Sequence, residues 1–297
     1  MIKIIVKKIF KAIIPHGLFL LLIRIKDKKN IRKKLFQIET HITEHCNLKC
    51  RSCLHFSCIA ENEYLSTEIF DGDFKRLSQI TNKLSVIKLV GGEPLLHPKI
   101  CEFIKIARKY FPNTLIQITT NGILLDKQSD TFWRICSENN VVISVSTYPI
   151  NLDVEIIEKI ARENRVYLVY DQDWEKIYDK RYIGRQFMCQ WNIDVKGKQD
   201  YRKSYYNCDY KLGGCVTLRE GKIYNCCVAA HIKYFNNHFK KNLETCNFDY
   251  VDIYSIKDVD EIYDFLKKPF PFCRYCNPSK IKFVEWDTTK KEISEWT

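Results

Sequence analysis

The chain has 297 residues, 45% of them hydrophobic and 28% charged, with only ten glycines and eight prolines; this suits a large folded core and argues against a fibrous, low-complexity or disordered chain. A formal charge of +12 suggests nucleic-acid affinity until it is located: Met1 to Lys34 holds eleven Lys or Arg against one Asp, so the rest of the chain is nearly balanced and no diffuse polynucleotide-binding face is expected. Fourteen cysteines without a recognisable secretory leader point to a reducing cytoplasm, with thiols kept for metal or cluster chemistry rather than extracellular disulfides.

Residues 1–34 combine Ile4, Ile5, Ile9, Phe10, Ile13 and Ile14 with lysines, then pass through Pro15-His16-Gly17 into the apolar run Leu18 to Ile23. Neither run reaches the roughly 18 to 20 residues that cross a bilayer as a helix. The expectation is a basic amphipathic arm, either packed on its own protein or lying peripherally at the inner face of the membrane. Period-two apolar patterning then predicts strands at Leu35 to Ile42, Val86 to Val90, Leu115 to Thr119, Val141 to Ser146 and Val166 to Tyr170, with a weaker one at Trp191 to Val195. Helical patterning predicts helices at Phe74 to Leu84, Ile100 to Tyr110, Thr131 to Glu138 and Val154 to Asn164.

Strand followed by helix, repeated, predicts an α/β fold built as a partial (β/α)6 TIM-like barrel, with the loops after each strand gathered at one rim. From about Gly197 the pattern changes to a cysteine-rich, aromatic stretch expected to form a small α+β module, in which Val216 to Tyr224 reads as a hairpin turning at Glu220-Gly221. Three segments are therefore expected: an arm at 1–34, a core at 35–196 and a module at 197–297.

The rim carries the chemistry. Cys46, Cys50 and Cys53 place three soft thiolates on one loop after the first strand, which suits three corners of an iron-sulfur cubane and leaves the fourth iron without a local ligand. Zinc is the competing occupant, with His45 or His55 as a fourth donor, although both histidines are better read as structural or supporting residues. Gly91-Gly92-Glu93-Pro94 follows the second strand, where two residues without Cβ let the backbone approach a ligand and Glu93 offers an anion to an ammonium group.

The run Cys46-Asn47-Leu48-Lys49-Cys50-Arg51-Ser52-Cys53 resembles the C-x3-C-x2-C loop of radical S-adenosylmethionine (SAM) enzymes, and Gly91-Gly92-Glu93-Pro94 is similar to that family's GGEP segment. The resemblance implies a [4Fe-4S] cluster held by Cys46, Cys50 and Cys53, whose open iron chelates SAM. It also implies that Gly91, Gly92, Glu93, Asn121, Ser144 and Ser146 shape the cofactor pocket. The chain departs from the family at Ser52, where many members have an aromatic residue near the adenine; Phe56 is the substitute to consider, against an ordinary core role.

In the tail, Cys208, Cys215, Cys226, Cys273 and Cys276 resemble the ligand pattern of the SPASM and Twitch modules, which implies one auxiliary [4Fe-4S] cluster. Cys208 and Cys215 compete for one position in the set, and structural zinc is an alternative. Cys58, Cys101, Cys136, Cys189 and Cys246 read as small buried residues. The function implied is a radical SAM oxidoreductase that dehydrogenates a small polar or sugar-containing substrate in glycan or natural-product biosynthesis, fed by a reductant such as flavodoxin or ferredoxin. Two other readings stand beside it: a peptide-modifying maturase, and an iron-sulfur electron-transfer or binding protein.

Overall fold

The computed structural model describes residues 35–170, 187–208 and 216–297. The basic arm at 1–34 and Cys215 lie outside the described residues, and Leu35–Thr297 forms one compact unit.

Strands β1 (Leu35–Thr43), β2 (Leu84–Gly91), β3 (Leu115–Thr120), β4 (Val141–Val145) and β5 (Tyr167–Tyr170) pair in parallel in that order. They alternate with α1 (Thr67–Ile80), α2 (Ile100–Tyr110), α3 (Asp130–Glu138) and α4 (Val154–Glu163). Helix α1 begins seven residues before the expected Phe74, because the Ser66 side chain accepts the Ile69 N–H at 3.1 Å and so caps it there. It ends at Ile80, since Leu84 already belongs to β2.

The two faces of this sheet differ in chemistry. Ile38, Ile42, Ile87, Leu89, Ile116, Ile118, Ile143 and Val145 pack with Phe70, Phe74, Leu77, Phe103, Ile104 and Phe132 of the helices in one apolar core, each such burial contributing about 1.5–3 kcal/mol. The opposite face mixes Val86, Val90 and Val142 with Gln37, Glu39, His41, Lys88, Gln117, Thr119 and Ser144, and the strand register sets Glu39, Lys88 and Gln117 in one row and Thr119 beside Ser144. Lys88 meets Glu39 there at 3.2 Å. A polar inner face is what a partial barrel needs if its lumen is to hold a polar guest.

The expected strand at Trp191 to Val195 is not formed. Instead β6 (Phe187–Gln190) pairs antiparallel with β10 (Lys282–Glu285) in a separate two-stranded sheet. Trp191 and Ile193 turn into a second core with Phe56, Tyr205, Tyr234, Phe235, Phe272 and Trp296. That packing, rather than a sixth barrel strand, satisfies their apolar side chains.

The main sheet is extended at its β1 edge. Strand β7 (Thr217–Arg219) lies parallel to β1 and turns back antiparallel into β8 (Lys222–Tyr224), which pairs with β9 (Tyr250–Asp252). The hairpin turns at Glu220 and Gly221, whose φ values of 49° and 74° belong to the primed turn that matches strand twist. Asp73 of α1 fixes this hairpin: its buried carboxylate accepts the Gly221 N–H at 2.9 Å and the Tyr254 hydroxyl at 2.8 Å. Asp73→Ala leaves a buried N–H without an acceptor, and urea unfolding should show a loss of about 1–3 kcal/mol. Asp73→Asn, which keeps one acceptor oxygen, should lose less.

Candidate functional site

The cysteine loop and the glycine-rich loop meet backbone to backbone. The Gly92 N–H donates to the Thr43 carbonyl at 2.9 Å and the Glu93 N–H to the His45 carbonyl at 3.1 Å. A Cβ on Gly91 would collide with the Thr43 carbonyl, and one on Gly92 with the His45 carbonyl. Sequence reading assigned these glycines to the approach of a ligand; the close neighbour found here is the peptide chain that enters the cysteine loop.

Glu93 is fully buried behind this seam. Its carboxylate accepts the Leu95 N–H (3.1 Å), the Thr120 hydroxyl (2.7 Å) and the Asn121 N–H (2.8 Å), so it braces the β2 rim against the β3 rim. Burial outweighs those hydrogen bonds and pushes its pKa up to about 7. Asn121 carries the brace forward: its side-chain amide donates to Asn47 Oδ1 at 2.7 Å and approaches Cys46 Sγ at 3.7 Å. Ser144 and Ser146 are buried. Ser144 pairs with Thr119 across β3 and β4, and the Ser146 N–H bonds the Thr120 carbonyl at 2.8 Å, which places both at the same end of the sheet.

Donors converge on the loop sulfurs. The Leu48 N–H lies 3.3 Å from Cys46 Sγ, backbone groups of His55, Phe56 and Ser57 bond to Cys53, and the Trp286 indole N–H lies 3.3 Å from Cys50 Sγ. Even so, burial raises the Cys46 and Cys53 thiols above the ordinary range, with Glu93, Cys53 and Cys50 adding to the effect at Cys46. Thiolates here therefore need a cation. Among the described residues, the His, Cys, Asp or Glu ligand atoms that gather in a group within 4.8 Å of one another are those of His41, Glu44 and His231.

A strap of residues 286–296, which sequence reading missed, fastens the loop. Arg51 N–H bonds the Asp287 carbonyl (2.8 Å), Thr289 N–H the Lys49 carbonyl (2.8 Å), the Ser52 hydroxyl the Glu295 carbonyl (2.8 Å) and the Trp296 indole the Cys53 carbonyl (2.9 Å). The position expected to be aromatic is thus a buried Ser52 at φ 57°. Phe56 is fully buried against Phe235 and Trp296 in the second core, an ordinary core role. The alternation of Trp286 with polar residues carried no signal of contact with a loop so distant in sequence.

Four of the tail cysteines gather around a cavity. Cys208 follows α5 (Tyr201–Tyr206), Cys226 caps α6 (Cys227–Phe239), and Cys273 and Cys276 lie in and just after the turn Pro271–Tyr275. All four line one cavity with Leu54, Trp191, Tyr205 and Phe270. The Trp191 indole donates to Cys276 Sγ at 3.3 Å, and burial pushes the Cys276 thiol up to about 12. Cys58 and Cys136 are buried as expected, Cys101 and Cys189 are half-buried, and Cys246 is exposed. Cys246 occupies a surface turn whose backbone N–H is held by Asp249 at 2.7 Å.

Comparison with known proteins places this site. Residues 37–162 match the family profile described as a 4Fe-4S single cluster domain. The GTP 3',8-cyclase of Chlorobaculum tepidum is 33% identical over 126 residues, covering 42% of this chain and 36% of that protein. The corresponding enzyme of Aliarcobacter butzleri is 30% identical over 135 residues, covering 44% and 40%. The chain thus spans about two fifths of the length of these curated relatives. Among solved structures, native anSMEcpe with bound AdoMet shares the fold at a TM-score of 0.50 and 13% identity, covering 82% of this chain and 90% of that one. The matched stretch, residues 37–162, carries the cysteine loop and the glycine-rich rim, and over it this chain is similar to radical SAM enzymes, whose cofactors are a [4Fe-4S] cluster and SAM.

The Glu93 brace sets a pH signature. A carboxyl held near 7 in the fold against its ordinary 4.5 binds its proton more tightly when folded, so the stability it lends is lost as pH rises through about 7. The metal-free protein should lose roughly 3 kcal/mol relative to Glu93→Gln between pH 5 and 8.5 in urea unfolding. A constant difference across that range contradicts the assignment.

Proposed function

We propose that this chain is a radical SAM oxidoreductase that dehydrogenates a small polar or sugar-containing substrate. One observation carries the reading: the sheet face turned from the helices sets Glu39, Lys88, Gln117, Thr119 and Ser144 among a few valines and ends at the rim formed by Cys46, Glu93, Asn121 and Ser144.

Cys46, Cys50 and Cys53 hold the radical-generating cluster in this proposal, and Cys208, Cys226, Cys273 and Cys276 an auxiliary one. Bound there, the first cluster and SAM supply a 5′-deoxyadenosyl radical, which abstracts hydrogen from substrate. The chain's own part is placement and exclusion. Glu93 offers the charge for the SAM ammonium while keeping the two rims in register, and Asn121, Ser144 and Ser146 supply polar contacts beside it. The Glu39-Lys88 pair and Gln117 offer both donors and acceptors to a polar guest deeper in the lumen. The match to GTP 3',8-cyclases spans 42% of the chain and supports the shared radical-generating part alone.

The segments at 1–34, 35–196 and 197–297 then correspond to a membrane-surface arm, the radical core and the auxiliary module, with flavodoxin or ferredoxin as electron donor. The eleven basic residues of the arm support contact with anionic lipid. No described helix is long and apolar enough to cross a membrane.

Anaerobically reconstituted protein given a strong reductant should convert SAM to 5′-deoxyadenosine, and alanine at Cys46, Cys50 or Cys53 should abolish this. Alanine at Cys273 should lower the iron content by about one cluster and leave most of the cleavage, separating the two cysteine groups; equal loss of cleavage contradicts the division. Trp286→Phe removes the N–H aimed at Cys50, so the first cluster should become harder to reduce by about 1 kcal/mol, roughly 40 mV, in an EPR-monitored redox titration.

A further inference from the structure

A third group of ligand-type side chains contains no cysteine. His41 on β1, Glu44 just before the cysteine loop and His231 on α6 are all buried, and their ligand atoms lie within 4.8 Å of one another. His41 Nδ1 is 3.1 Å from Glu44 Oε2, and His231 Nε2 is 3.7 Å from the same oxygen. The two imidazole rings lie 3.8 Å apart at 32°.

The arrangement of protons makes this group unusual. His231 Nδ1 bonds the Cys227 carbonyl at 2.9 Å, one helical turn back; a carbonyl only accepts, so this nitrogen carries the proton and the lone pair falls on Nε2. That Nε2 is buried and has no hydrogen-bond partner among the described residues, yet it faces a carboxylate oxygen. Two acceptors confront each other across 3.7 Å, which costs free energy unless a cation stands between them. A proton is the smaller candidate, but burial, His41 and Arg219 together hold the His231 imidazole well below its ordinary pKa, outweighing the pull of Glu44.

We propose that His41 Nδ1, Glu44 Oε2 and His231 Nε2 bind one divalent first-row cation of borderline softness, such as zinc or ferrous iron. Two imidazoles and a carboxylate are the donors that select such ions over magnesium or calcium. Bonds of about 2.1 Å set donors roughly 3.0 to 3.5 Å apart, close to the two separations found. The ion takes the place of the proton between His41 Nδ1 and Glu44, and the neutral His41 ring then carries its one proton on Nε2. Supporting groups fix two of the ligands, as metal sites require: the Cys227 carbonyl sets the His231 tautomer, and Arg219 holds the other Glu44 oxygen at 2.7 Å. The Arg219 charge is itself offset by Glu220 at 3.6 Å and Glu63 at 4.0 Å. Bound there, the ion joins the strand that leads into the cysteine loop to the tail helix that begins at Cys227.

The test uses the full chain after anaerobic reconstitution, so that cluster iron occupies the cysteines, exposed to one equivalent of zinc and then desalted. Elemental analysis should find close to one zinc per chain, and zinc-edge X-ray absorption should show only nitrogen and oxygen neighbours near 2.0–2.1 Å, without the sulfur shell near 2.3 Å that cysteine-bound zinc gives. His231→Gln and His41→Ala should each retain at least tenfold less zinc at unchanged iron content. The absorption measurement on the unsubstituted chain decides the matter even if a variant misfolds. A wild-type chain that keeps no zinc, zinc coordinated through sulfur, or equal retention by well-folded variants overturns the site.

Discussion

The fold depends on how closely two stretches of backbone approach. The carbonyls of Thr43 and His45 receive the N–H groups of Gly92 and Glu93, and neither hydrogen bond forms unless residues 91 and 92 lack a Cβ. This contact fixes the direction in which the cysteine loop leaves β1, and so where its three sulfurs face. Glu93 then transmits that position to the β3 rim through Thr120 and Asn121. The Glu93 carboxylate is therefore a structural pin between the two rims.

Much of this was legible in the sequence. The five parallel strands were legible as apolar runs, because each presents aliphatic or aromatic residues to the helices, and β1 and β3 alternate these with polar residues on the other face. Helix α2 matches its expected bounds, since Ile100, Phe103, Ile104 and Ala107 make a regular buried stripe. The Glu220-Gly221 turn was equally plain, having the glycine that positive φ favours. Among the candidate site residues, Cys46, Glu93 and Asn121 are brought together as their motifs suggested.

The remainder was hidden for physical reasons. Trp191 to Val195 has strand-like residues, but its apolar side chains are consumed by aromatic packing in the second core, which no local pattern encodes. The strap reaches the cysteine loop through backbone carbonyls and N–H groups, which every sequence possesses and none advertises. His41, Glu44 and His231 are scattered over some 190 positions, and only the placement of α6 beside β1 draws them into one group. Single-residue reading has no means to weigh such meetings. Position in space creates them.

The strap also orders events during synthesis. Ser52 and Glu295 are separated by 243 positions, so a ribosome exposes the three loop thiols long before it produces the segment that fastens them. For that interval the nascent chain presents an open, unlatched thiol loop to whatever delivers iron and sulfide. Once residues 286–296 fold down, their backbone groups and the Trp296 indole fasten the same loop from Lys49 to Cys53.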